Sequence, residues 1–99
     1  MSQADDRLPV SDEEPAGATA VVYRRTVRGP EFLMLHRAHR QNTRNGEWAW
    51  TPPAGARRAG EPVDDCARRE LTEETGLELE LQPTSCGTDD WPVYLAEAP

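Results

Sequence analysis

Three glutamates near the middle of the chain are spaced so that one face of a helix would carry them. Glu70, Glu73 and Glu74 stand at positions i, i+3 and i+4, which lie on the same side of an α-helix. Like charges at this spacing destabilise a helix by roughly 0.2–0.5 kcal/mol per pair. Glu73 and Glu74 also precede Gly76, the expected end of the helix, where the helix dipole disfavours negative charge. The pattern is typical either of a solvated acidic face or of oxygen ligands for a hard divalent cation.

The residues around these glutamates extend the acidic motif into a longer pattern of fixed spacing. The fixed positions are Gly55, Glu61, Arg69-Glu70-Leu71, Glu73-Glu74 and Gly76-Leu77. The pattern matches the Nudix box at every fixed position, and the preceding WTPPAG (50–55) resembles the W-x-x-P-G/A-G lead-in common in that family. The chain therefore resembles a Nudix hydrolase over roughly residues 18–97.

The resemblance implies a site for Mg²⁺ or Mn²⁺ that binds a diphosphate. The groups that match metal contacts of the family are the side chains of Glu61, Glu70, Glu73 and Glu74 and the backbone carbonyl of Ala54. Glu73 and Glu74 match the usual ligands, whereas Glu61 matches a carboxylate that can hold the metal through water. The implied cofactor is thus Mg²⁺ or Mn²⁺.

The same resemblance implies the catalytic groups of a diphosphate hydrolase. Glu70 matches either a further metal ligand or the general base, and Glu61 matches a second catalytic carboxylate. Arg69 would orient a neighbouring carboxylate through a charge-assisted hydrogen bond. The implied reaction is attack of water at phosphorus in a nucleoside diphosphate linked to another group. Arg58 departs from the family, because many members have glutamate at that position.

Residues outside the box are candidates for contacts with the substrate. Arg37 could reach its phosphates, and Trp48 lies beside a polar loop where it could stack on a nucleobase. Trp50 and Trp91 could also stack on a nucleobase, but packing in the core or at its rim is favoured for Trp50. His36 and His39 are expected to be surface or hydrogen-bonded histidines.

The predicted elements indicate an α/β or α+β fold in a single domain. A helix is predicted over 63–75, with Val63, Ala67 and Leu71 as its apolar stripe. Strands are predicted at 18–26, 31–37, 48–50, 78–81 and 91–96, with loops at 38–47 and 82–90. Apolar residues on both faces of 31–37 favour a central strand. The resemblance implies the Nudix fold, a mixed β-sheet between helices.

The chain is expected to divide into an arm and a domain. Residues 1–17 are acidic and proline-rich and are predicted to be mobile. Residues 18–99 are expected to form the Nudix-like domain, either as a short form or as one that stops before the last strands and second helix. An exposed sheet edge would then favour self-association, so a homodimer is among the expected states.

Charge and cysteine content limit the partners and the compartment. The net charge of −7 argues against a nucleic-acid polymer or an anionic membrane as partner. A small nucleoside diphosphate derivative remains compatible, because bound cations reverse the local field. Cys66 and Cys86 form no metal or redox motif, and free thiols in a reducing cytoplasm are expected. No signal peptide or apolar membrane span is evident in the sequence.

Three functions are compatible with the sequence. The first is a metal-dependent Nudix hydrolase, which the complete set of box carboxylates favours. The second is a Nudix-fold module that binds or senses a nucleotide without turnover, and the third is an inactive fragment. The substrate is left undefined, because its discrimination lies in loops outside the box.

Overall fold

The computed structural model describes residues 9–38 and 48–99, without the side chains of 37, 38, 48 and 49. Its elements, in chain order, are β1 (Gly17–Thr26), β2 (Gly29–Phe32), β3 (Leu35–Ala38), β4 (Trp48–Thr51), β5 (Ala54–Ala56), α1 (Val63–Thr75), β6 (Gln82–Thr88) and β7 (Trp91–Glu97). Five strands of the described residues form one sheet, and β3 and β4 form a separate antiparallel pair. The predicted α+β class is confirmed.

Strand β1 is the centre of the sheet, because three other strands pair with it. Its first three residues pair antiparallel with β5, and its last four pair antiparallel with β2. Strand β7 pairs with β1 in parallel, and β6 lies antiparallel beyond β7. The sheet is therefore mixed, as the resemblance implied.

Helix α1 spans the predicted residues and ends where predicted. Gly76 caps it in the left-handed conformation, with φ of 80°, and its N–H donates to the carbonyl of Thr72 at 2.8 Å. Glycine occupies this conformation without the steric cost that a Cβ would impose. Ala67 and Leu71 are buried, and Val63 packs beside them, so the predicted apolar stripe is confirmed.

The core lies between α1 and one face of the sheet. Helix residues Cys66, Ala67 and Leu71 meet a sheet face made mainly of small side chains. The sheet contributes Ala18, Ala20 and Val22 from β1 and Tyr94 and Ala96 from β7. Alanine at these positions lets the helix backbone approach the sheet closely, which holds α1 directly over β1 and β5.

The prediction of one central strand over 31–37 is wrong. Strand β2 ends at Phe32, and residues 33–34 belong to no strand. Strand β3, which follows them, pairs with β4 instead of β1. Within the described part of the chain β2 is an edge strand, and Phe32 and Met34 are 55% and 40% exposed. The apolar residues on both faces of 31–37 therefore did not indicate a central, fully buried strand.

The predictions for residues 78–88 are also wrong. No strand forms at 78–81, and most of the predicted loop is instead β6, which pairs with β7 from Gln82↔Leu95 to Thr88↔Trp91. The register shifts between Pro83 and Gly87. Proline and glycine weaken a strand signal, yet an edge strand with a bulge accommodates both.

Residues 9–16 of the predicted arm lie along the segment that follows β5. Val10 forms a bridge with Arg58, and the Ser11 N–H donates to the Arg57 carbonyl at 2.7 Å. The Arg57 N–H in turn donates to the Ala16 carbonyl at 2.8 Å. Residues 1–8 lie outside the described part, and the mobility of the arm stays a prediction.

None of the described helices has the length and apolar character needed to cross a membrane.

The two thiols are free, as predicted, but they differ in reactivity. Cys66 lies on the buried face of α1, and burial raises the pKa of its thiol to about 11, whereas Cys86 is exposed on β6. Because thiolate is the reactive form, and only roughly one part in a thousand of the Cys66 thiol would be ionised at pH 8, Cys66 is expected to react slowly even with free access. We expect a chromogenic disulfide reagent to detect one reactive thiol in the folded chain and two in the unfolded chain. The Cys86→Ser variant should titrate none when folded, and a rapidly reacting thiol in that variant would contradict the packing of Cys66.

Candidate active site

The site is built on a buried ion pair between α1 and the loop before it. Arg69 donates from Nε to Glu61 Oε2 at 2.8 Å and from Nη2 to Glu61 Oε1 at 3.0 Å. The two side chains are 12% and 3% exposed. The backbone N–H of Arg58 also donates to Glu61 Oε1, at 3.0 Å. Both carboxylate oxygens of Glu61 are therefore occupied by donors of this chain.

These donors set the charge state of Glu61. Burial alone would raise the pKa of its carboxyl, but the hydrogen bonds from Arg69 and from the Arg58 N–H lower the pKa below its usual value. Glu61 is therefore held as a carboxylate at neutral pH. The bidentate contact with Glu61 also fixes the plane of the Arg69 guanidinium.

The same guanidinium reaches the other carboxylates of the motif. Its Nη1 donates to Glu70 Oε2 at 2.9 Å and lies 3.3 Å from Glu73 Oε1. Its Nη2 also donates to the carbonyl of Ala56, the last residue of β5, at 3.0 Å. One arginine thus ties α1 to β5 and orients three glutamates of the box.

Glu70 and Glu74 lie against the backbone of β5. A Cβ added to Gly55 would overlap the Glu70 carboxyl group, so only glycine leaves room for that group here. Glu74 Oε1 accepts a hydrogen bond from the Ala54 N–H at 3.3 Å. The glycine at position 55 of the box therefore has a steric basis.

Glu70, Glu74 and the Ala54–Gly55 backbone form a cradle in which the negative charge is only partly neutralised. Burial raises the pKa of the Glu70 carboxyl to about 7, and its contact with the Glu74 carboxyl adds to the rise. Arg69 opposes this rise but is shared with Glu61 and Glu73. α1 also has no basic residue in its last turn to offset Glu73 and Glu74.

The donors of this cradle fit a hard divalent cation. They are carboxylate oxygens beside a backbone strand, the ligand type that Mg²⁺ and Mn²⁺ prefer. Among the described residues, no three acidic, histidine or cysteine side chains converge as a complete metal site. Mg²⁺ commonly uses one or two carboxylates together with substrate phosphates and water, so it does not require such a cage.

The structure brings the predicted box residues together, but it does not resolve the predicted substrate contacts. Ala54, Glu61, Arg69 and the three helix glutamates form one connected cluster. Arg37 and Trp48 lie on β3 and β4, paired with Ala49 and Ala38. Their side chains are outside the described part, so their contacts with substrate stay predictions.

Arg57 is a positioning residue that sequence analysis did not select. It is 8% exposed and donates to the carbonyls of Pro15 (2.6 Å), Glu13 (3.1 Å) and Glu61 (2.9 Å). It thereby fastens residues 9–16 to the loop that carries Glu61. Its partners at Glu13 and Pro15 are more than 40 residues away in sequence, so no local pattern could have identified it.

Neighbouring arginines of α1 provide a direct test of the buried ion pair. We expect Arg69→Ala to lower the free energy of unfolding by about 3–5 kcal/mol, because it leaves the Glu61 carboxylate buried without its partner. Arg68→Ala should change it by only about 0.5 kcal/mol or less, since Arg68 pairs with Asp65 at 2.8 Å on the exposed side of the helix. Urea denaturation of both variants measures the difference. Equal losses would contradict the structural role assigned to Arg69.

Comparison with known proteins identifies the family and the fold. The family described as the NUDIX domain matches residues 14–95. The apo structure of T. brucei MERS1 superposes with a TM-score of 0.71 at 23% identity, over 88% of this chain and 39% of that one. The C. elegans Ap4A hydrolase superposes with a TM-score of 0.57 at 25% identity, over 86% of this chain and 68% of that one.

A mutT/nudix family protein from Listeria innocua gives a TM-score of 0.58 at 22% identity, over 90% of this chain and 66% of that one. The present chain thus spans about two fifths of the length of the T. brucei protein and about two thirds of the other two. Because the family match covers residues 14–95, and the box residues within it converge on one site, the chain belongs to the Nudix family.

Proposed function

We propose that this chain is a divalent-cation-dependent pyrophosphohydrolase that cleaves a nucleoside diphosphate linked to another group. The observation that carries the proposal is the convergence of Glu70 and Glu74 on the Ala54–Gly55 backbone, where a Cβ would displace the Glu70 carboxyl group. A fold selected for stability alone has no need to crowd carboxylates at the C-terminal half of a helix. A bound cation would relieve that repulsion.

Glu70, Glu73, Glu74 and the carbonyl of Ala54 are the groups that we assign to the cation. When bound, Mg²⁺ or Mn²⁺ would neutralise the diphosphate oxygens and lower the pKa of water. The half-exposed Glu73 makes only long contacts with Arg69, at 3.3 and 3.5 Å, so it can turn towards a cation at little cost. The water-mediated contact expected of Glu61 stays a prediction, and the hydrogen bonds of its two oxygens support a positioning role through Arg69.

The residues of the chain supply the remaining parts of the reaction. Glu70 is the candidate general base or a further ligand, and Arg69 orients its Oε2 by the 2.9 Å hydrogen bond. Water attacks phosphorus in line, its proton passes to a carboxylate, and a phosphate ester leaves. Arg57 and Glu61 act indirectly, because they fix the loop and the guanidinium on which this arrangement depends.

Two solved relatives support a substrate that contains a nucleotide. The C. elegans protein is named as an Ap4A hydrolase, and T. brucei MERS1 has been solved in complexes with GDP and with RNA. The net charge of −7 favours a small nucleotide over an RNA strand for the present chain. The exclusion of a polymer and the homodimer remain predictions.

The proposal is tested by product release from a panel of diphosphates with added Mg²⁺ or Mn²⁺ and with EDTA. The panel contains nucleoside triphosphates, nucleotide sugars, ADP-ribose and dinucleoside polyphosphates. We expect release from at least one compound, dependent on the cation and abolished by EDTA. Folded protein that releases nothing from any compound would overturn the hydrolase proposal in favour of a binding module.

A single substitution tests the assignment of the cation ligands. We expect Glu73→Gln to reduce turnover by roughly 100-fold or more, because a neutral amide cannot replace the carboxylate in stabilising the charged site. Its effect on thermal stability should be small, since Glu73 is half exposed. Glu78→Gln, an exposed change just beyond the helix, is the matched control. Turnover of Glu73→Gln close to that of the control would refute the assignment.

A further inference from the structure

The β3–β4 pair carries two stacked aromatic rings. His36 and Trp50 are directly opposite each other in the antiparallel register. Their ring centroids lie 4.2 Å apart, and the ring planes differ by 8°. This is a parallel stack, which covers one face of the indole with the imidazole.

Most of the Trp50 side chain is exposed to solvent. Leu35 and Thr51, the neighbouring pair in the register, are partly buried, whereas His36 and Trp50 are exposed. Because side chains alternate across a strand, the stacked rings project from the outer side of the hairpin. Trp50 remains 62% exposed although His36 covers one of its faces. Of the two positions expected for Trp50, the core and its rim, this exposure excludes the core.

An indole held flat and exposed has the properties of a ligand platform. Tryptophan is among the largest apolar side chains, and its exposure is unfavourable unless a partner covers it. The stack on His36 limits the orientations of the ring, which reduces the entropy lost when a flat ligand binds. An aromatic ligand that stacks on the indole would cover the surface that folding leaves exposed.

The platform lies close to the proposed cation site along the chain. Trp50 precedes Ala54 by four residues, so their Cα atoms are at most about 14 Å apart. The intervening Pro52 and Pro53 stiffen this connection, and Pro53 is fully buried. In a nucleotide, the sugar separates the base from the diphosphate by a distance of the same order.

We propose that Trp50, supported by His36, is the platform on which the nucleobase of the substrate stacks. The inference rests on the proposed function for the position of the diphosphate, and it assigns the base contact to Trp50. Stacking uses the flat face that every base has, so the platform should favour nucleotides over base-free diphosphates without selecting one base.

The test compares the binding of ADP and of inorganic pyrophosphate, in the presence of Mg²⁺, to the wild-type chain and to three variants. We expect Trp50→Ala to weaken ADP binding by roughly 5- to 150-fold, the range for loss of one base–aromatic stack. Pyrophosphate binding should change less than about twofold, since that ligand has no base. Trp50→Phe should retain most of the affinity for ADP, because phenylalanine still offers a flat ring.

Phe32→Ala is the matched control. It removes another exposed aromatic ring, on β2, beside a groove of about 330 Å³ that also includes Val22 and Leu77. We expect this variant to bind ADP as the wild type does. Thermal melting of all variants checks that they remain folded.

Each outcome decides the inference separately from the proposed function. If Trp50→Ala binds ADP as tightly as the wild type, or if the wild type binds ADP no better than pyrophosphate, the stacking platform is refuted even where hydrolysis is observed. Weaker ADP binding only in Phe32→Ala would place the base in the groove and would also refute it. Selective loss in Trp50→Ala without hydrolysis of any diphosphate would support the platform and refute the hydrolase. With a hydrolysed nucleotide, Trp50→Ala should raise KM and leave kcat nearly unchanged.

Discussion

The buried contact between Arg69 and Glu61 is the interaction on which the rest of the site depends. The guanidinium joins the loop before α1, the end of β5 and two further glutamates in one hydrogen-bonded unit. Removing two charges from water is costly, and the pair tolerates this only because each partner is satisfied by several hydrogen bonds. The pair is therefore better understood as a device that fixes geometry than as a large source of stability.

Small residues make this geometry accessible. Alanines on β1 and β7 bring α1 close to the sheet, and Gly55 leaves the space that the Glu70 carboxyl group occupies. A larger side chain at either place would move the helix away from β5 and separate the carboxylates from the backbone beside them. Packing and chemistry are thus coupled through the same close approach.

The site concentrates negative charge where the fold gains nothing from it. Glu73 and Glu74 lie in the last turns of α1, which has no basic residue there, and burial raises the pKa of Glu70. Such local conflicts with folding rules are expected at functional sites, where a ligand supplies the missing charge. Arg57 and residues 9–16 reinforce the loop from the opposite side through backbone carbonyls, which adds order without adding more charge.

The sequence by itself determined the features that depend on local spacing. The apolar stripe and Gly76 defined α1 over 63–75, and the β-branched run of β1 defined a strand close to its observed bounds. The spacing also placed Glu70, Glu73 and Glu74 together, because i, i+3 and i+4 positions on a helix share one face whatever surrounds them. The remaining site residues, Ala54, Glu61 and Arg69, followed only from the resemblance to the family.

The tertiary structure alone decided features that depend on distant partners. The interruption of the strand after Phe32 and the formation of β6 follow from which strands pair with β1 and β7. The β-propensity of a strand does not determine its pairing register. The burial of Arg57 depends on carbonyls more than 40 residues away, and the exposure of Trp50 accompanies the pairing of β3 with β4 in a sheet separate from that of β1. Short-range patterns predict which residues neighbour one another on a helix, whereas long-range contacts determine which faces are buried.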